Sequence, residues 1–229
     1  MKNYLYLAAA IVLAGLMLPL SVGKFKSYDR TVDVKGLCEV EVKADKVIWP
    51  LTYKVVGNDL GAALNEIDAN DGKIISFLTS GGLSRDEITI SAPEISDKYA
   101  SEYGNNDRVY RYLCTGVITV CTSNVDAVLA LMARQSDLLK EGIAIVQNDW
   151  QNATQFKFEA LNDIKPEMIE EATANAREAA NKFAQDSGSR IGKIKTATQG
   201  TFSIEDRDSN TPHIKKVRVV TYVTYYLKN

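Results

Sequence analysis

Leu161–Ile204 reads LNDIKPEMIEEATANAREAANKFAQDSGSRIGKIKTATQGTFSI, a long three- and four-residue repeat followed by a glycine and an extended stretch. Pro166 suits a first helical turn, where a missing backbone N–H loses no intrahelical bond. Glu167, Glu170 and Glu171 then fall near the positive end of the helix dipole. Ala172, Ala176, Ala179, Ala180, Phe183 and Ala184 share one face, which is apolar and mostly small. Gly188 is placed for a left-handed C-cap, and Ile191–Thr198 follows as a strand. A helix faced with alanine lies close against a sheet. That reading concerns packing and names no chemistry.

The segments around it supply the sheets. In Thr31–Val42, Val32, Val34, Val40 and Val42 fall on one face, with Asp33, Lys35, Glu39 and Glu41 on the other. Gly36 interrupts the apolar face and points to a bulge or bend. Lys46–Val56 is a second strand, whose Pro50 argues for an edge or a bulge. Asn58–Ser80 turns helical through Leu60, Leu64, Ile67, Ile74, Ile75 and Leu78, and Gly81-Gly82 ends it. Glu87–Ile95 and Val109–Thr122 are strands joined by the polar loop Ser96–Arg108. Asn124–Lys140 is a second helix, with Val125, Val128, Leu129, Met132 and Leu139 inward. Ile143–Val146 and Phe156–Leu161 are short strands, and Lys215–Leu227 closes the chain. The order βαββαββαββ predicts an α+β fold with antiparallel sheets and helices packed on one face.

At 229 residues, residues 30–229 make one domain, or two α+β subdomains divided at about 30–140 and 141–229. A 45% hydrophobic share is enough for a sizeable core, and a net charge of −2 offers no basic stripe for nucleic acid. Lys2 is the only charge before Lys24, and Leu5–Leu20 between them is almost wholly apolar, so residues 1–23 are a targeting segment outside the fold. Two readings stand side by side. Ser21-Val22-Gly23 suits cleavage of a signal peptide, whereas the uncharged run of residues 3–23 has the length of an uncleaved membrane anchor. Lys24, Lys26 and Arg30 follow in and after a linker over residues 24–29, and both readings put the globular part outside the cytoplasm.

Residue types that carry chemistry are sparse. Cys114 and Cys121 lie an odd number of positions apart on one strand, so they face opposite sides and do not bridge each other. Cys38, Cys114 and Cys121 read first as buried free thiols, with a disulfide to Cys38 or a redox thiol as alternatives. His213 is the only histidine, which argues against a zinc centre or a Ser-His-Asp triad, and no G-x-S-x-G occurs. Asp206-Arg207-Asp208-Ser209-Asn210 starts like a calcium loop but has Thr211 and Val217 where glycine and glutamate are needed. Gly188, Gly192 and Gly200 are too widely spaced for a nucleotide loop. Tyr99, Tyr103, Tyr110 and Tyr112, and Tyr222, Tyr225 and Tyr226, read as cross-strand packing. Asn152-Ala153-Thr154 is only a formal glycosylation acceptor.

Val34-Lys35-Gly36-Leu37-Cys38-Glu39-Val40-Glu41-Val42-Lys43-Ala44-Asp45 resembles the opening strand of the SIMPL-domain family, which typically begins V-x-G-x-G/A-E-x-x-V-x-A/P-D. Lys165-Pro166-Glu167-Met168, the alanine-rich helix, Ser187-Gly188-Ser189, Gly192 and Gln199-Gly200 resemble that family's closing helix and strand. The chain departs from the pattern at Leu37-Cys38 and at Ala44, where proline is common. The resemblance runs from about Arg30 to the C-terminus. It implies a bacterial cell-envelope protein, often oligomeric and sometimes linked to oxidative-stress tolerance, with no established catalytic activity and no cofactor. The expected function is therefore a membrane-tethered, non-catalytic protein that self-associates through edges such as Ile143–Val146 or Lys215–Leu227. The alternative is a small-ligand or enzymatic site using Glu205, Asp206 and Asp208.

Overall fold

A computed structural model describes residues 30–100, 109–146 and 152–228. The expected α+β class and antiparallel sheets are present. The apolar segment of residues 3–23, the linker before Arg30, and Tyr103 lie outside the described residues. Among those described, no helix is long and apolar enough to cross a membrane.

The chain forms two compact units, and neither is continuous in sequence. Among the described residues, one takes 30–40, Leu161–Ile204 and 216–228; the other takes those of Glu41–Ala160 and Glu205–Lys215. The division therefore does not follow a cut near residue 140. Its reason lies in two long strands, β1 (Thr31–Lys43) and β9 (Ile214–Lys228), each of which supplies residues to both units.

The Glu41–Ala160 unit is built on a five-stranded sheet ordered β3–β5–β2–β6, with β4 also on β5. These strands are β2 (Lys46–Gly57), β3 (Ile88–Ile90), β4 (Glu94–Asp97), β5 (Tyr112–Thr122) and β6 (Gln155–Lys157). Register pairs Trp49 with Val120, Leu51 with Ile118, Tyr53 with Gly116 and Val55 with Cys114. All of the apolar members are buried on one face, where α1 (Leu60–Ser80) and α2 (Val125–Ala133) contribute Ile67, Ile74, Leu78, Val128 and Leu131. Asp59 caps α1 by accepting from Ala62 N at 2.7 Å, as a short carboxylate at an N-cap does.

Several expected elements differ. Asn124–Lys140 is two helices, α2 and α3 (Ser136–Lys140), because i→i−3 bonds from Arg134 and Gln135 close the first one. Glu87–Ile95 is two strands after a 3₁₀ turn at Arg85–Glu87, since Pro93 between them has no N–H to donate. Ile145 makes only an isolated bridge to Tyr53. Pro50 does not mark an edge strand. Its β5 side is paired to Thr119, and it sits between the β6 contact at Ile48 and the bridge at Tyr53, where its missing donor is harmless.

In the other unit, the sheet order is β1–β9–β7, with β8 (Ser203–Asp206) also on β9 and β7 spanning Arg190–Gln199. Helix α4 (Leu161–Asp186) buries Met168, Ala172, Ala176, Ala180 and Ala184, a run of four-residue steps. Ala176 and Ala180 pack with Val34, Val223 and Tyr225. Phe183, placed on this face from spacing, is instead 61% exposed. Helix α4 also begins before Pro166, which lies inside it and has no N–H to donate back to Asn162; Asp163, not the three glutamates, occupies the first turn. Gly188 does cap it at φ +66°, with Ser189 N donating to Ala184 O (2.7 Å) and Gly188 N to Gln185 O (3.0 Å). That pair of bonds is the Schellman arrangement.

Candidate functional site

The opening-strand pattern is the natural place to look for a site, and each of its distinctive residues has a structural occupation. Gly36 shares the buried face of β1 with Val34 and Cys38. A Cβ there would stand 1.7 Å from Ala172 O and 2.7 Å from Ala176 N, so α4 rests its backbone directly on this glycine. The expected bulge is a close approach instead. Glu39 pairs with Lys216 at 3.2 Å. Asp45 accepts from Glu159 N (2.8 Å) and Ala160 N (2.8 Å), the two residues immediately ahead of α4. A long-range carboxylate thus does there what an N-cap side chain does locally. Asp45→Ala is expected to lower stability by about 1–2 kcal/mol, the usual loss for an N-cap carboxylate. Urea denaturation checks this, and an unchanged midpoint would remove the capping role.

All three cysteines are free. Cys38 and Cys114 are buried as expected, but Cys121 is exposed instead, because its odd offset from Cys114 puts it on the other face of β5. The Cys38 thiol lies 3.1 Å from Glu171 Oε2. Burial, that hydrogen bond and the Glu171 and Glu167 charges push it up to about 11. Burial likewise pushes the Cys114 thiol up. Both therefore stay protonated at neutral pH, which is the unreactive form.

Glu205, Asp206 and Asp208 are exposed. Asp206 contacts the Lys215 ammonium. Asp208 is occupied in its own turn, accepting from Thr211 Oγ1, from Arg207 Nε (3.1 Å), and from the Asn210 and Thr211 backbone N–H groups. The Thr211 hydroxyl and the Arg207 guanidinium hold its carboxyl well below the usual range, opposite to a general acid. His213 packs its ring edge-on against Phe156, 6.0 Å between centroids, while its carbonyl accepts from Ala44 N. Among the described residues, no three His, Cys, Asp or Glu side chains converge to hold a metal ion. Tyr112 carries the Arg111 guanidinium at 4.9 Å and lies opposite Asp97, onto which Arg111 forks across the hairpin, whereas Tyr99 is 45% exposed.

A buried polar pair in the β2–α1 core went unread in the sequence. Tyr53 is 1% exposed, and its hydroxyl donates to Asp71 Oδ1 at 2.6 Å with Ile67 O 3.1 Å away. Its ring occupies the space that a side chain at Gly116 would take, a Cβ there meeting Tyr53 Cζ at 2.5 Å. Burial, with a smaller contribution from Asp68, raises the Asp71 carboxyl. A tyrosine on the apolar parity of β2, opposite a glycine on β5, was the available signal.

These two units define a class: an α+β protein of antiparallel sheets, one faced by several helices and the other by α4, with its motif residues committed to packing. A family model, SIMPL, described as a protein of unknown function (DUF541), matches residues 32–224. The chain belongs to the SIMPL family. A comparison with curated proteins gave no match.

Proposed function

We propose that this chain is a non-catalytic, membrane-tethered protein of the bacterial cell envelope that acts by self-association, in the service of oxidative-stress tolerance. The observation that carries the reading is the use made of the family pattern: Gly36, Glu39 and Asp45 seat a helix, pair with a strand lysine and hold a helix entry. Residue types that serve reaction chemistry would face a cleft, whereas Gly36 and Asp45 meet neighbouring backbone and Glu39 meets a lysine side chain. The protonated, buried Cys38 and Cys114 are unsuited to thiol chemistry, which would fall to the exposed Cys121 alone.

The route of association differs from the expected one. β9 lies between β1 and β7, so it has no free edge, and Val146 N already donates to Thr52 O at 2.7 Å. The uncovered face of the β1–β9–β7 sheet is the better surface. Leu37 is 43% and Tyr222 46% exposed there, with Lys35 over the Tyr222 ring at 5.2 Å. Light scattering and intact-chain mass spectrometry on the native, detergent-extracted protein test this. The expected result is an assembly of several chains that keep Met1–Gly23, reduced to monomers by Leu37→Asp with Tyr222→Asp. A monomeric unsubstituted protein would overturn self-association; chains beginning at Lys24 would overturn the tether alone. Should the chain be monomeric, binding of a small ligand near Glu205–Asp208 is the second reading, although their exposure weighs against it.

A further inference from the structure

The unit that holds α4 separates its charges. The first half of α4 carries Asp163, Glu167, Glu170 and Glu171 against a single base, Lys165. From Gly188 to Ile204 the only charged residues are Arg190, Lys193 and Lys195, all exposed on β7. Pairing of β7 with β9 sets Arg190 opposite Lys228, and the Lys228 stem runs over Gly192, where an added Cβ would be 3.3 Å from Lys228 Cε. Among the described residues, Arg190, Lys193 and Lys228 have no carboxylate within ion-pair distance. Like charges directly opposite each other destabilise an antiparallel pair unless an anion from outside offsets them.

The chain enters the unit at this same end. Arg30 O accepts from Leu227 N at 2.8 Å, and Arg30 Nη2 donates to Ser189 Oγ at 3.1 Å, one residue from Lys228 and from Arg190 respectively. Just ahead in sequence come Lys26, Lys24 and the uncharged run of residues 3–23. Phe183, 61% exposed, lies in the last turn of α4 beside Lys182, with Asp186 the one carboxylate in that turn.

We propose that this end of the unit, formed by Phe183, Arg190, Lys193 and Lys228, rests on an anionic bilayer surface. The inference builds on the tether reading and says which way the anchored unit faces. Basic side chains near an anionic leaflet strengthen attachment roughly fivefold each, within about a Debye length, and a phenylalanine ring buries at the boundary of headgroups and acyl chains. Lysines on an edge strand also discourage strand pairing. That accounts for Lys193 and Lys195, but neither for Arg190 facing Lys228 nor for an exposed phenylalanine.

The test uses the full chain carrying Phe183→Trp, reconstituted in brominated phosphatidylcholine vesicles with or without phosphatidylglycerol. The unsubstituted chain supplies the background from Trp49 and Trp150. The added emission is expected to be quenched roughly twofold or more when phosphatidylglycerol is present, and to recover at high salt or with Arg190→Glu and Lys228→Glu. Lys193→Glu is the second variant should the pair fail to fold, with the same direction and a smaller effect. Emission unquenched in a chain that stays with its vesicles through alkaline extraction would overturn the proposal and leave the tether standing. A chain that washes off at alkaline pH overturns the tether instead. Its pelleting with phosphatidylglycerol vesicles, and not with phosphatidylcholine alone, would then uphold the basic surface, and its failure to pellet would overturn that too.

Discussion

Gly36→Ala is expected to destabilise the α4 unit by about 3 kcal/mol or more, the upper end of what overpacking produces. The new methyl would sit 1.7 Å from Ala172 O and 2.8 Å from Ala172 C. Those are backbone atoms, so no side-chain rotation relieves the overlap, and α4 has to lift from β1. Lifting it uncovers Val34, Ala176 and Ala180, which are buried only while helix and strand touch. Hydrogen exchange should show protection lost first in β1 and α4. Gly72→Ala is the matched control. It lies within α1 with nothing in 4 Å of an added Cβ, so it is expected to stabilise by about 0.5–1 kcal/mol. Equal midpoints for Gly36→Ala and the unsubstituted chain would sink the close-approach account.

The second large effect is expected at Tyr53. Tyr53→Ala opens a cavity beside Leu51, Val55 and Gly116 and should cost about 3–5 kcal/mol, as aromatic truncations in cores do. Tyr53→Phe keeps the ring and isolates the hydroxyl. It should cost about 1.5–3 kcal/mol, the range for a hydrogen bond to a charged partner. Asp71 adds a pH signature. Its carboxyl is raised in the folded protein, chiefly by burial, so the folded state holds the proton more tightly than the unfolded chain. The stabilisation linked to that proton is fully present below the ordinary carboxylate pKa and is lost as pH rises through the raised folded value. Asp71→Asn cannot titrate, yet its amide oxygen still accepts from Tyr53. Against this variant, the unsubstituted protein should therefore gain relative stability on acidification across that window. Parallel stability–pH curves for the two proteins would refute the linkage.

Much of the architecture was legible because it depends on local repetition. Alternation located β1, β2, β5 and β9, and the alanine steps located the helix that became α4, with Gly188 as its cap. The errors share a cause. Pro166 looked like a helix start because the actual start is held by Asp45, more than a hundred residues away in the chain. Phe183 looked buried because it is apolar at a permitted spacing, whereas the face in contact needs methyl groups. β9 looked like a possible edge because strand order is not local information; β7 and β1 enclose it.

The candidate sites divide in the same way. Cys114 and Cys121 could be assigned to opposite faces from parity alone, and they are. The carboxylates of Glu205–Asp208 could not be judged from their order. Whether they act or merely close a turn depends on Arg207, Thr211 and Lys215 folding back onto them. By itself the sequence determined the element types, the class of fold, the family and the scarcity of reactive residues, since each follows from residue identity and short-range period. Only the tertiary structure decided why Gly36 must be glycine, what Asp45 holds, how Tyr53 and Asp71 meet and where the basic end lies. Those are distances between segments far apart in the chain, and periodicity carries no record of them.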